Sequence, residues 1–246
     1  MLSLLAGCAG FGEKPDITRD WPAQKLYAEA KARMELGDYE TAIDYYEKLE
    51  TRYPFGPFAQ QAQLDVAYAY YKYDEPASAI AAAERFIKLH PQSPNVDYAY
   101  YLKGLVNYNQ GRNLIDRFAP RDFSQRDTGA LLQAFRDFEE LTRRFPESKY
   151  AADSAQRMVH LKNLLARHEV HVANYYMERE AYVAAINRAR FVLESYQTTP
   201  AVPDALALMV EVYRRMGMND LADDSLRVLK LNYPDHPALA KLDPVQ

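Results

Sequence analysis

The chain has 246 residues, of which 9 are Gly, 20 Tyr, 1 Cys and 1 Trp. Glycine at about 4%, against a usual ~7%, leaves few positive-φ turns, which disfavours a turn-rich barrel or sandwich and favours helix. A net charge of −4 offers no basic field for nucleic acid, 48% apolar residues exclude global disorder, and a single cysteine makes neither an internal disulfide nor a thiolate zinc site.

Along the chain, the first informative segment is Met1 to Cys8. Its Leu5-Ala6-Gly7-Cys8 end resembles the lipobox of bacterial lipoprotein signals. Small residues at Ala6 and Gly7 let an extended backbone enter a protease cleft. The resemblance implies removal of residues 1–7 and a covalent lipid on Cys8, an S-diacylglycerol with an N-acyl chain. Each buried acyl CH₂ adds about 0.8 kcal/mol of membrane affinity. No charged n-region or full apolar h-region precedes the Cys, so the segment reads as a remnant of a longer signal. The alternative is a frayed terminus with a free thiol. Residues 8–22, opening on Ala9-Gly10-Phe11-Gly12, read as a flexible tether. Ala9, standing where inner-membrane lipoproteins often carry Asp, favours the outer membrane. No later stretch offers 18 uncharged apolar residues, so none is expected to span a bilayer.

From residue 23 a repeat with a period near 34 takes over. Gly37 to Glu47 running on to Tyr53-Pro54 resembles the second half of a tetratricopeptide repeat (TPR). The skeleton returns at Ala79 to Pro91, Ala134 to Pro146 and Ala222 to Pro234, and from Ala42 to Pro54 as in the others the interval is 12 residues. A fifth copy, Ala185 to Pro200, has an interval of 15, which predicts a longer closing turn. The Ala lets the second helix of a pair approach the first, and the Pro ends it. Ala30, Ala67, Gly104, Ala173 and Val210 fall at the matching first-helix position; Gly37, Gly111 and Gly217 fall where a first helix needs a left-handed cap. The expected fold is all-α, a solenoid of five helix pairs. Residues 23–146 form an N-terminal half with a polar loop at 112–129, 147–168 a connecting helix that bends the solenoid, 169–237 a C-terminal half and 238–246 a tail.

Catalytic patterns are absent from the sequence. There is no GxSxG and no phosphate-cradling glycine loop. His168 and His171 stand at i, i+3 where the zinc pattern needs i, i+4, so surface histidines are expected, and no metal or enzyme activity.

The tyrosines carry the binding interest. The repeat frame puts Tyr27, Lys31 and Met34, then Gln61, Leu64, Tyr68, Tyr71 and Lys72, then Tyr98, Tyr101, Leu105 and Tyr108 on first-helix positions that line a groove. A Tyr ring with a polar tip suits an extended peptide, and a neighbouring Lys suits a carboxylate. For Tyr68, Tyr71, Tyr98 and Tyr101 groove and helix packing are equally good readings; Tyr46, Tyr53, Tyr70, Tyr175 and Tyr213 read as packing. The second half is more charged, with Asn174, Glu178, Glu211, Arg214 and Arg215.

Taken with the lipobox and repeats, Tyr53-Pro54-Phe55-Gly56-Pro57, Arg85 to Pro91 and Arg126-Asp127 resemble the BamD family, TPR lipoproteins of the outer-membrane β-barrel assembly machinery. The resemblance implies a periplasm-facing scaffold at the outer membrane. Its N-terminal repeats would bind targeting strands of unfolded outer-membrane proteins, here through the first-helix residues above. Its C-terminal repeats would bind the periplasmic domains of the central barrel subunit, with Arg188, Arg214 and Arg215 as candidate contacts; small accessory lipoproteins are further partners. A different periplasmic TPR adaptor, serving envelope constriction or peptidoglycan synthesis, is the alternative.

Overall fold

A computed structural model describes residues 16–110 and 128–242. Cys8, Gly111, nearly all of the expected 112–129 loop, including Arg126 and Asp127, and the last four residues lie outside the described residues.

Among the described residues the chain builds five helix pairs. They are α1 (Ala23–Glu35) with α2 (Tyr39–Arg52), α3 (Pro57–Lys72) with α4 (Pro76–Leu89), and α5 (Val96–Asn109) with α6 (Gly129–Arg144). After these come α7 (Ala151–Glu178) with α8 (Tyr182–Ser195) and α9 (Val202–Arg215) with α10 (Asn219–Asn232). A single turn, α11 (Leu239–Leu242), closes the chain. Each helix from α1 to α10 packs on the next, the closing turn α11 packs on α9, and α1 touches α3, α3 touches α5 and α7 touches α9, so these first helices share a layer.

The small-residue register is what closes each pair. Ala30, Ala67, Ala173 and Val210 are fully buried, as are the second-helix residues Ala42, Ala79, Ala134, Ala185 and Ala222. At Gly104 the approach is closer still: a Cβ there would stand 2.5 Å from Cε1 of the fully buried Phe138 on α6.

Among the described residues, the turns inside the first, second, fourth and fifth pairs share one geometry. Gly37 (φ 79°) and Gly217 (φ 71°) are left-handed, and so are Asp74 (φ 64°) and Glu180 (φ 60°). In each, the amide after the left-handed residue reaches back over the helix end: Asp38 to the carbonyl of Arg33, Glu75 to Tyr70, Ala181 to Tyr176 and Met218 to Tyr213. This is the Schellman closure, which satisfies carbonyls the helix leaves orphaned. The second helices end as uniformly. Tyr53, His90, Phe145, Tyr196 and Tyr233 all leave the helix with φ between −128° and −138°. Four of the five precede Pro, which disfavours the helical region.

Four sequence expectations change. The tether expected over 8–22 does not extend to 22: within its described part, Thr18 is buried and its carbonyl accepts from Arg52, and Trp21 packs on Tyr45. The fourth pair closes no later than the others: α8 stops at Ser195, six residues pass from Tyr196 to the first residue of α9, and the same six separate Phe145 from α7. Only the Pro has moved, to the end of an equally long turn. Next, the 147–168 segment and the first helix of the fourth pair are one helix of 28 residues, with no break at 168. Residues 147–150 precede it as a turn. Nothing between Ala151 and Glu178 is Gly or Pro, so nothing stops the ladder. Its Leu161, Leu164 and Leu165 pack with Leu131 and Phe138, while Ala166 and Ala173 join the C-terminal core with Ala185 and Val210. The 238–246 tail, finally, contains a docked turn: Leu242 is buried, and its carbonyl accepts from Arg214 at 2.8 Å.

Two stability outcomes follow from this geometry. Gly104→Ala is expected to destabilise by about 1–3 kcal/mol, because the buried ring of Phe138 must move. Glu180→Gly is expected to stabilise by about 1 kcal/mol, relief of the left-handed penalty exceeding the entropy glycine adds to the unfolded chain. Thermal unfolding of the two variants checks both directions.

Candidate functional site

Helical spacing sets out the first-helix face. Tyr27 and Lys31 stand one turn apart on α1; Gln61, Asp65 and Tyr68 follow one another at i, i+4 and i+7 on α3; Tyr98, Tyr101 and Tyr108 occupy α5. Side chains from successive pairs then meet. The Tyr27 hydroxyl donates to Asp65 Oδ2 at 2.8 Å, and Gln61 Nε2 donates to Oδ1 at 2.9 Å. The Tyr68 and Tyr71 rings lie 6.2 Å apart, and Asn109 of α5 donates to the Tyr71 hydroxyl at 2.6 Å. Tyr98 packs on Tyr150 at 5.4 Å, and Tyr101 stacks on the same ring at 4.6 Å with planes 16° apart. The Tyr101 hydroxyl donates to Asp153, which also accepts from Arg157 Nε, each at 2.6 Å; the Arg157 guanidinium lies 5.1 Å from the Tyr108 ring centre. The outcome is a belt of half-buried rings with polar tips running from α1 to the start of α7.

Its electrostatics follow from partial burial. Burial pushes the Asp65 carboxyl above its ordinary range, against hydrogen bonds from Gln61 and Tyr27 and the charge of Lys31. The Tyr46 hydroxyl is buried close to this carboxylate yet meets no partner at hydrogen-bond geometry. Tyr27 and Tyr98 are raised, each first by burial; Tyr27 is raised further by donating to Asp65, and Tyr98 by its neighbours Tyr68 and Tyr150. Tyr101 is pushed up to about 12, by burial and then by its bond to Asp153. At Asp153 burial works the other way, but the bonds from Arg157 and Tyr101 outweigh it and hold the carboxyl low.

Most of the residues picked from the sequence come together in this belt; several do not. Lys72 lies 5.8 Å from the Tyr39 ring centre on α2, away from Tyr71. Leu64 is core, 2% exposed, beside Phe86 and Leu141. Tyr46 and Tyr213 pack as expected, whereas Tyr53 and Tyr175 are exposed, the latter under the guanidinium of Arg179 at 3.9 Å. In the second half Arg188 pairs with Glu169 at 3.0 Å, Arg214 Nη1 donates to the Leu242 carbonyl at 2.8 Å, and Glu211 pairs with Lys241 at 3.0 Å. All three arginines are exposed, Arg188 and Arg214 each with an intramolecular partner.

Asp65, Asn109, Tyr150, Asp153 and Arg157 were not read from the sequence. Asp65 carried a signal, as the single acid in α3. So did Tyr150, Asp153 and Arg157, which share a face at i, i+3 and i+7. Among the described residues no group of three or more His, Cys, Asp or Glu is placed to hold a metal ion, and no helix is long and apolar enough to cross a membrane.

The family model described as outer membrane lipoprotein (YfiO) matches residues 19–229. Outer membrane protein assembly factor BamD of Neisseria meningitidis serogroup A is 48% identical over 238 residues, 96% of this chain and 89% of its own length. The factor of the same name in Vibrio cholerae serotype O1 is 39% identical, covering 94% of this chain and 95% of its own. The chain belongs to the BamD family. A crystal structure of a thermophilic TPR protein of Thermus thermophilus covers 90% of this chain and 97% of its own at 16% identity, with a TM-score of 0.39. In this BamD-family chain the belt, from Tyr27 to Arg157, lies wholly within the residues that the family model matches.

The buried carboxyl gives a pH signature. A raised folded pKa means that the folded state holds the Asp65 proton longer than the unfolded state does, so stability falls as pH rises from the unfolded value through the folded one. Asp65→Asn keeps an acceptor for Tyr27 and removes this loss. Its Tm relative to the parent chain is expected to be higher at about pH 7 than at about pH 3.5, read by thermal melts at both values.

Proposed function

We propose that this chain is a lipid-anchored scaffold on the periplasmic face of the outer membrane, working in β-barrel assembly by binding rather than by catalysis. Cys8 carries the S-diacylglycerol and N-acyl chains. The first-helix belt of the N-terminal pairs receives the targeting strand of an unfolded outer-membrane protein. The C-terminal pairs hold the periplasmic domains of the central barrel subunit, and small accessory lipoproteins attach to the same scaffold.

The observation that carries this reading is the belt, in a chain of the BamD family. An extended strand presents alternating side chains and unpaired amide and carbonyl groups. Half-buried tyrosines offer it apolar ring surface, and Asp65, Asn109, Asp153 and Arg157 offer fixed donors and acceptors between the rings. Lys31, exposed on α1, supplies a cation for a strand's terminal carboxylate. On the C-terminal half, Arg188 stands exposed beside Asn187 and Phe191, a charged and aromatic pairing common at interfaces.

Depleting the protein is expected to lower porins in the outer membrane; intact porins with a division defect would point to the constriction adaptor. Replacing Tyr68 and Tyr71 together by Ala is expected to cut crosslinking to a barrel C-terminal peptide by about tenfold, the loss of roughly 1.4 kcal/mol of contact. Unchanged crosslinking would remove the belt from substrate binding. Mass spectrometry of the chain from native membranes reads the lipid, and an unmodified Cys8 would contradict the anchor.

A further inference from the structure

One corner of the molecule carries apolar side chains that helix packing leaves largely exposed, although Phe58 among them also meets the Tyr27 ring at 5.7 Å. Phe55 is 90% exposed and Ile17 is 73% exposed, with Tyr53 and Phe58 each 37% exposed beside them. Sequence and backbone explain why they stand out. Pro54 and Pro57 bracket the turn between α2 and α3, and Gly56 (φ 101°) bends it, so Phe55 is displayed on a stiff tip. The preceding segment is fixed to the same corner: Arg52 Nη1 donates to the Thr18 carbonyl at 2.5 Å, Arg52 also pairs with Asp16, and the Tyr53 hydroxyl donates to the Trp21 carbonyl at 3.0 Å. Ile17 lies between two residues held by Arg52, and Phe55 follows three residues after it.

This is also where the described chain begins. Seven residues lie between Cys8 and Asp16, and the eight steps from one to the other, at no more than ~3.6 Å each, reach at most about 29 Å. A lipid on Cys8 therefore keeps this corner close to the bilayer. The composition suits a bilayer surface: Phe and Ile at the tips, Tyr and Trp with polar groups behind them, and the Lys25 ammonium 4.3 Å from the Trp21 ring centre.

We infer that the Ile17–Phe55–Phe58 corner rests in the headgroup and outer acyl region of the membrane that holds Cys8, and so fixes which way the solenoid faces. This rests on the lipid anchor proposed above. Acyl chains alone supply attachment but leave a domain free to swing on its tether; an apolar tip beside the tether gives the second contact that sets an orientation. The belt on the first helices would then be presented at a constant angle to the bilayer.

Trp21, the single tryptophan, sits inside this corner and reports on it. In the test, the full chain is coupled through Cys8 to a maleimide phospholipid in vesicles of phosphatidylethanolamine and phosphatidylglycerol containing lipids brominated near the headgroup. Coupling supplies the anchor chemically, so the result is independent of whether Cys8 is lipidated in the cell. Trp21 emission is expected to be quenched, and Ile17→Ser with Phe55→Ser is expected to reduce the quenching by about threefold while the chain stays on the vesicle. Both side chains are largely exposed, so the variant should melt at the temperature of the parent. An unquenched parent chain overturns the inference, as does quenching that survives the double substitution. If the double variant instead loses a protein partner in a detergent pull-down while the parent is unquenched, the corner is a protein contact and not a lipid one.

Discussion

The structure depends on how closely two helices of a pair can approach. Where Ala meets Ala, or Gly104 meets the ring of Phe138, the backbones come near enough for the larger side chains on either side to interlock. Dispersion between single atoms is weak, but each crossing sums many such contacts. The short turns inside the first, second, fourth and fifth pairs then have little freedom, and the chain accepts a left-handed Asp74 and Glu180 where glycine is not available. The fold tolerates strain at the turn in order to keep the crossing.

The same constraint produces the belt. First helices held in one layer bring Tyr27 within reach of Asp65, and Tyr101 within reach of Asp153, across 38 and 52 residues of sequence. Each ring is part core and part surface. Tyr27, Tyr68, Tyr71 and Tyr98 pack against the N-terminal core, and the hydroxyls of Tyr27 and Tyr71 bond to neighbouring helices. A purely apolar face would invite association without selectivity, and a purely charged one would be screened by salt. Rings fixed by burial and oriented by hydrogen bonds give a surface that is apolar, polar-tipped and already ordered, which lowers the entropy lost on binding.

Much of this was legible in the sequence, because small residues and prolines recur at fixed intervals for steric reasons that operate within one pair. The register from Ala42 to Pro54 and its three copies needs no tertiary knowledge, and Gly37 and Gly217 mark their turns because glycine enters the left-handed region freely. Asp74 and Glu180 have the same backbone but no such mark. The long α7 was hidden by imposing the period on a segment that contains no helix breaker. Tyr150, Asp153 and Arg157 were missed because their role appears only when α5 reaches them. The bond from Arg214 to the Leu242 carbonyl had no sequence mark, because the turn it holds is too short to leave a periodic signal.

The central claim is that the first-helix belt, and not the second-helix face, receives an extended strand. With ring-labelled tyrosines, resonances can be followed by NMR as a barrel C-terminal strand peptide is added. Shifts are expected at Tyr27, Tyr68, Tyr71, Tyr98 and Tyr101, with Tyr45, Tyr196 and Tyr233, on or at the ends of second helices, unmoved. Shifts confined to the second set, with the belt tyrosines silent at saturating peptide, would contradict the account.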